Sequence, residues 1–368
     1  MGVSPLHRLS ALGQSVWVDF LSREAIRGGH MQQLIDEDAV VGATSNPTIF
    51  QKAFASGDAY DEQLREVLDE TEDTEKIFWT LAEQDIREAC DLFGPVWDEG
   101  SGRDGYVSLE VDPRLAYDTL ATYREAIRIH EQVDKRNLMV KIPATRPGLA
   151  AIEDCIAKGK SINVTLIFSL QRYAEVAESY VRGLERLVAE GGNPRTVSSV
   201  ASFFVSRIDT EADRRLDEIE GGEHLKGKLA IANARLAYQH YKDVFRGDRW
   251  LYLASKGATP QRVLWASTSV KNPAYPDTMY VDELIGPDTI NTMPEETIRA
   301  YQDHGRPEVS LEKGVEAARR VFTQLAEVGV DYDEVTETLE REGVQKFADS
   351  FAELLEGLRA KQESLQPA

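Results

Sequence analysis

Eight short runs rich in β-branched and aromatic residues recur along this chain, at residues 15–20, 40–45, 106–111, 138–143, 161–168, 200–207, 262–269 and 278–284. Between them lie longer stretches of helical pattern, among them 74–92, 113–133, 149–158, 170–189 and 210–218. Connectors of that length suit crossover helices, so the strands are expected to run parallel. Eight such units predict a closed (β/α)8 barrel, a TIM barrel. An open doubly wound sheet is the alternative, but no Gly-x-Gly-x-x-Gly follows the first strand. No low-complexity linker or internal repeat divides the chain. Residues 1–368 therefore read as one barrel domain, with 332–364 a C-terminal helical extension. In that extension Phe347, Phe351, Leu354, Leu355 and Leu358 recur at helical spacing, for packing on the barrel or, in a homodimer, on a second subunit. Residues 94–105 read as a solvent-facing insertion on the face away from an active site, and 286–294 as a segment on the catalytic face.

Charge narrows the partners. Lysine and arginine number 42 against 63 acidic residues, a formal charge of −21. Such a surface argues against nucleic acid and anionic membranes. It leaves a phosphate ligand open, because a few focused cations outweigh a diffuse distant field. Cys90 and Cys155 make no disulfide framework or zinc cluster. No apolar run is long enough to span a membrane and the N-terminus lacks a signal peptide's apolar core, so a cytoplasmic protein is expected. The six histidines are scattered without ligand spacing, and no metal or other cofactor is expected.

The run Asn137-Leu-Met-Val-Lys141-Ile-Pro143 has the apolar character of a buried strand, yet it carries a lysine. A lysine in such a strand loses hydration, which disfavours the ammonium. The free amine is a nucleophile for a ketone carbon. A structural ion pair with a nearby carboxylate is the competing reading. Strand residues alternate faces. On the 161–168 run Ser161, Asn163 and Thr165 share one face and Ile162, Val164 and Leu166 the other, which suits outer helices. Ser108 and Glu110 share a face on the third run, Asp19 ends the first, and Arg207 ends the sixth. Polar groups at corresponding ends of several strands are best explained by one shared site, which in this architecture lies at the C-terminal ends.

Five segments carry a resemblance. They are Gly42-Ala-Thr44-Ser45-Asn46-Pro47, Val107-Ser-Leu-Glu110-Val-Asp112, Val140-Lys141-Ile-Pro-Ala-Thr145, Ile162-Asn163-Val-Thr165-Leu-Ile-Phe168-Ser169 and Ala201-Ser202-Phe-Phe-Val-Ser206-Arg207. Over nearly its whole length the chain resembles the transaldolases, and the Trp265-to-Pro273 stretch with the chain length resembles their longer actinobacterial branch. The resemblance implies a (β/α)8 barrel and a transferase of the non-oxidative pentose phosphate pathway. It implies reversible transfer of a dihydroxyacetone unit from sedoheptulose 7-phosphate to glyceraldehyde 3-phosphate, giving erythrose 4-phosphate and fructose 6-phosphate. Lys141 would form the Schiff base. Asp19 would take the C4 hydroxyl proton. Glu110 would move protons through a water held by Thr165. Asn46, Asn163 and Ser202 would bind substrate hydroxyls, and Thr44 would orient the carboxylates.

For the phosphate, Arg207 matches a family arginine. Shorter relatives place a second arginine after Ala-Ser; here Ser267 is followed by Thr268 and Ser269, and Lys271 is inferred to replace it, with Ser267 donating a hydrogen bond. Structural alternatives stand beside these roles: Asp19 as a helix cap beside Ser22, Glu110 as a counterion for Lys141, Thr44, Asn46 and Pro47 as a strand-ending turn, Thr165 and Ser202 as partners of backbone groups, Lys271 as a loop cation. A fructose-6-phosphate aldolase shares the lysine chemistry, but those relatives use a tyrosine acid where Phe203 and Phe204 stand here. A non-catalytic sugar-phosphate-binding barrel is the remaining alternative.

Overall fold

A computed structural model describes residues 4–55 and 57–365. Its strands are β1 (Gln14–Val18), β2 (Val40–Ala43), β3 (Val107–Glu110), β4 (Leu138–Pro143), β5 (Ile162–Ile167), β6 (Ser199–Phe204), β7 (Arg262–Ala266) and β8 (Thr289–Met293). They pair in sequence order, all parallel, and β8 closes on β1. The expected (β/α)8 barrel is what forms.

Strand alternation sorts the side chains. On β1, Val16 and Val18 face the helices, while Ser15, Trp17 and the following Asp19 climb the inner face from floor to mouth. The Trp17 indole is fully buried. It has room because β2 carries Gly42: a Cβ there would sit 2.6 Å from the indole ring. On the outer side, Phe203 and Trp265 meet edge to face, with Tyr173 of the helix Leu170–Ala189 beyond them.

The eighth strand is not where the sequence pattern puts it. Met279–Asp282 within the expected 278–284 run is one helical turn, and β8 lies inside the segment expected to follow it. Thr289-Ile-Asn-Thr-Met hides its strand character because its polar residues find partners inside the barrel. Gln14 donates to the Thr289 hydroxyl at 3.0 Å, and Thr268 to the Asn291 side-chain oxygen Oδ1 at 2.8 Å. Two further strands end early. β6 stops at Phe204, so Arg207 stands in the first turn of the helix Ser206–Leu216, not on a strand. β7 stops at Ala266, where Ser267 turns left-handed with φ 56°.

The segment 94–105 does lie at the N-terminal end of the barrel, but it is not simply solvent-facing. Gly94–Glu99 is helical, and Asp104 turns inward to accept hydrogen bonds from Ser15 at 2.8 Å and Trp17 at 3.0 Å.

The C-terminal helix Tyr332–Leu365 packs on its own barrel, crossing its mouth. Its buried residues Leu339, Gly343, Phe347, Phe351, Leu354 and Leu358 form one stripe at three- and four-residue spacing. Gly343 allows the close approach: a Cβ there would lie 3.1 Å from Leu166 Cδ2. Leu166 reaches that helix because it is left-handed, φ 60°, at a register break in β5. The pure alternation expected for Leu166 therefore fails at this one position. Phe351 stacks edge to face on Phe78 at 5.2 Å, and Thr48 donates to Ser350 at 3.0 Å. Burying each large apolar side chain of the stripe is worth about 1.5–3 kcal/mol, which anchors the helix.

Candidate active site

The barrel register puts Glu110 beside Lys141, Lys141 beside Asn163, and Pro143 beside Thr165. Lys141 is 5% exposed, and its Nζ lies 3.2 Å from Glu110 Oε2 while donating to the Ser45 carbonyl at 2.9 Å. Among the described residues neither Glu110 oxygen takes a well-directed hydrogen bond, and the fully buried Thr165 hydroxyl has no hydrogen-bond partner. Burial pushes the Glu110 carboxyl up from its usual range; the Lys141 charge pulls it back, and the Asp19 charge adds to the rise.

Asp19 stands at the end of β1. The cap of the adjoining helix Arg23–Arg27 is Ser22, so Asp19 is free to accept from the Thr44 hydroxyl at 2.7 Å. Thr44 in turn meets the Thr292 hydroxyl at 2.8 Å, which fixes it between β1 and β8. Burial raises the Asp19 carboxyl above its usual value, opposed by Lys141, the Thr44 bond, Arg207 and Lys271. Two carboxyls thus face one buried lysine, both held toward their protonated forms. That is the electrostatic setting general acid–base chemistry uses near neutrality.

The polar face of β5 is tied across the barrel. Asn163 donates from its amide to Ser108 at 3.0 Å and accepts from Ser202 at 2.7 Å. Asn46 accepts from the Ile49 backbone N–H at 3.0 Å, so it caps the helix Pro47–Ala55 as the turn reading expected, while also lining a small cavity with Glu110.

Farther out, Arg207 packs its guanidinium 5.4 Å from the Phe204 ring centroid, and burial pulls its charge down against the pull of Asp19. Ser267 is spent on that helix start: its carbonyl accepts from the Ser206 N–H at 2.9 Å and its hydroxyl meets Ser206 Oγ at 3.0 Å. Lys271 donates to Ser269 at 2.6 Å and is exposed at the rim.

Three neighbours escape sequence reasoning. Ser45 acts through its backbone, which side-chain chemistry does not advertise. Thr292 lies on the strand that was misplaced. Phe347, legible only as one member of an apolar stripe, comes from more than two hundred positions downstream of Lys141 to place its ring centroid 5.9 Å from Nζ.

This arrangement can be set beside known proteins. The family model for transaldolase/fructose-6-phosphate aldolase matches residues 16–358. A transaldolase of Saccharopolyspora erythraea is 52% identical over 357 residues, covering 97% of each chain. Transaldolases of Frankia alni and Mycolicibacterium paratuberculosis are each 51% identical, over 96% and 95% of both chains respectively. A closed eight-stranded barrel, and half of all positions shared along nearly the entire length, place this chain in the transaldolase/fructose-6-phosphate aldolase family.

Proposed function

We propose that the protein is a transaldolase, a transferase moving a dihydroxyacetone unit from sedoheptulose 7-phosphate to glyceraldehyde 3-phosphate in the cytoplasmic, non-oxidative pentose phosphate pathway. The observation that carries the reading is the buried Lys141 held 3.2 Å from Glu110, with the buried Asp19 at the end of β1 facing the same lysine. The Lys141 amine adds to the C2 carbonyl, and loss of water leaves a protonated imine. Glu110 takes and returns protons in these steps, with the unpartnered Thr165 hydroxyl suited to hold the water involved. Asp19 takes the C4 hydroxyl proton; the C3–C4 bond breaks, its electrons pass into the imine, and the aldose leaves. The resulting enamine attacks the acceptor aldehyde, and Asp19 returns the proton to the new hydroxyl. Water then releases the ketose and the lysine. Asn46, Asn163 and Ser202 bind hydroxyls of the bound fragment, and Arg207 with Lys271 the phosphate.

The Phe347 ring over Lys141 excludes bulk water, which favours holding the enamine for a sugar acceptor over premature hydrolysis. The test is a coupled assay with fructose 6-phosphate, with and without erythrose 4-phosphate, together with borohydride trapping and peptide mapping. Acceptor-dependent turnover with label on Lys141 is expected. Equal turnover without acceptor makes the protein an aldolase, and label on another lysine defeats the assignment.

A further inference from the structure

The C-terminal helix covers the mouth of the barrel, yet it is not built to lift. Near its start the Tyr332 hydroxyl donates to Asn233 at 2.7 Å and accepts from the Leu170 N–H at 2.9 Å. Midway, Ser350 accepts from Thr48 at 3.0 Å. Near its end Gln362 accepts from Thr74 at 2.8 Å, and Lys361 pairs with Asp61 at 2.7 Å. Between these ties runs the buried apolar stripe. Lifting the helix breaks the ties together and exposes the stripe to water, which makes it a poor gate.

The segment Lys271-Asn-Pro-Ala-Tyr-Pro-Asp277 has the opposite construction. It follows the C-terminal end of β7, on the side of the barrel that forms the mouth, and six of its seven residues are exposed. The exception is Tyr275. Its ring lies against Gly227, where a Cβ would sit 2.8 Å from Tyr275 Cζ, and its hydroxyl donates to Asp213 at 2.5 Å. Asp213 is buried on the helix Ser206–Leu216 and also accepts from the Gly227 N–H at 2.9 Å. Among the described residues it pairs with no cation, so the phenol is its one side-chain donor. The other tie, Asp277 to His304 at 2.8 Å, is exposed on both sides and holds little. Pro273 and Pro276 fix φ at two positions, which stiffens the segment. Both flanks are anchored: upstream Ser267 meets Ser206 at 3.0 Å, and downstream Tyr280 donates to the buried Asp209 at 2.8 Å. A short stiff stretch between two fixed posts, held by one buried hydrogen bond, is a flap with a latch.

We propose that residues 271–277 form the movable wall of the entrance to Lys141, that Tyr275 on Asp213 is the latch holding it shut, and that the C-terminal helix is a fixed roof. The wall opens when the phenol leaves Asp213 and water takes its place on the carboxylate. Closing returns Lys271 to the rim. The inference rests on the reading of the mouth as the sugar-phosphate site, and it assigns the motion of substrate entry and release to one segment.

The experiment follows amide hydrogen exchange in wild type and in Tyr275→Phe, which keeps the ring on Gly227 and removes the latch. Thermal melting checks the fold, and borohydride trapping on Lys141 checks the chemistry. In wild type, fructose 6-phosphate slows exchange across 271–277 on the order of tenfold, while the C-terminal helix over 343–354 exchanges slowly with or without it. Tyr275→Phe speeds exchange in 271–277 roughly tenfold and leaves 343–354 unchanged. It raises the KM for fructose 6-phosphate roughly threefold without lowering kcat. A segment that donor does not protect, or a Tyr275→Phe variant with wild-type exchange and KM, overturns the latch. A second variant tests the roof. Thr48→Cys with Ser350→Cys puts two thiols where hydroxyls lie 3.0 Å apart, a span suited to a disulfide, and the native Cys90 and Cys155 are buried. Transfer by the oxidised protein stays within about twofold of the reduced form. A loss restored by reductant makes the helix the gate and overturns the proposal. A wild-type protein that forms no trapped adduct on Lys141 overturns the sugar-phosphate reading, and this inference with it.

Discussion

The two ends of the barrel are both polar, and they are built on opposite rules. At the floor, Arg262 pairs with Asp104 at 2.8 Å and donates to Ser15 at 2.9 Å and to the Arg103 carbonyl. Asp104 receives Ser15 and Trp17 on its two oxygens. Each of these groups has a partner and the charges cancel. At the mouth, among the described residues, Glu110 and Thr165 lack hydrogen bonds, and two carboxyls are held above their usual range. The same residue types occur at both ends, so composition does not separate structure from chemistry. Satisfaction separates these two clusters: the Arg262–Asp104 network closes the floor, while Glu110 and Thr165 at the mouth keep hydrogen-bonding capacity in reserve for a substrate.

This contrast predicts that mouth substitutions remove activity and keep the fold, and floor substitutions do the reverse. The largest effect belongs to Lys141→Met. Transfer should fall on the order of 10⁴-fold or more, with no reducible adduct, while the melting temperature holds because methionine conserves the buried aliphatic volume. Substantial transfer by that folded variant breaks the comparison at its centre.

Asp19→Asn comes next. Cleavage should slow on the order of 10²–10⁴-fold while the imine still forms and can be trapped. The same change should raise the melting temperature at neutral pH. The folded-state pKa of Asp19 lies above its unfolded value, so the stability contributed by its protonated form is full below the ordinary carboxylate range and is lost as pH rises through the raised value. The gain from asparagine therefore shrinks as pH falls toward and below that ordinary range. A gain that grows on acidification contradicts the burial-dominated account.

Arg262→Ala tests the floor. Leaving Asp104 without its buried partner should cost about 3–5 kcal/mol, read by denaturant unfolding, and the folded fraction should trap donor at the wild-type rate. A fall in kcat with unchanged stability would show that the two ends are coupled. The smallest effect is expected for Arg207→Ala. Losing a charge-assisted contact should weaken phosphorylated donors by about 2 kcal/mol, near thirtyfold, and spare unphosphorylated fructose. Equal losses on both donors would move Arg207 to the structural side.

The misplaced eighth strand follows the same division between structure and chemistry. A strand whose polar residues bond neighbours inside a barrel, as Thr289 and the Asn291 side-chain oxygen do, reads in one dimension as a loop. The apolar turn Met279–Asp282 reads as a strand because only tertiary packing reveals that it is a single helical turn.

Periodicity and local chemistry were enough to predict the barrel and to nominate Lys141, Glu110, Asp19, Asn163 and Thr165. Alternation along a strand is a short-range property, and a lysine in an apolar run stands out against its immediate neighbours. Register brought Glu110 to Lys141, because adjacent strands align by backbone hydrogen bonds that no local pattern encodes. Long-range packing decided what covers the mouth. Phe347 lies on an amphipathic helix whose stripe says that it must bury a face but not against what. Only the docking of Gly343 against Leu166, a left-handed residue at a break in β5, aims that helix across the barrel and sets its ring over the lysine.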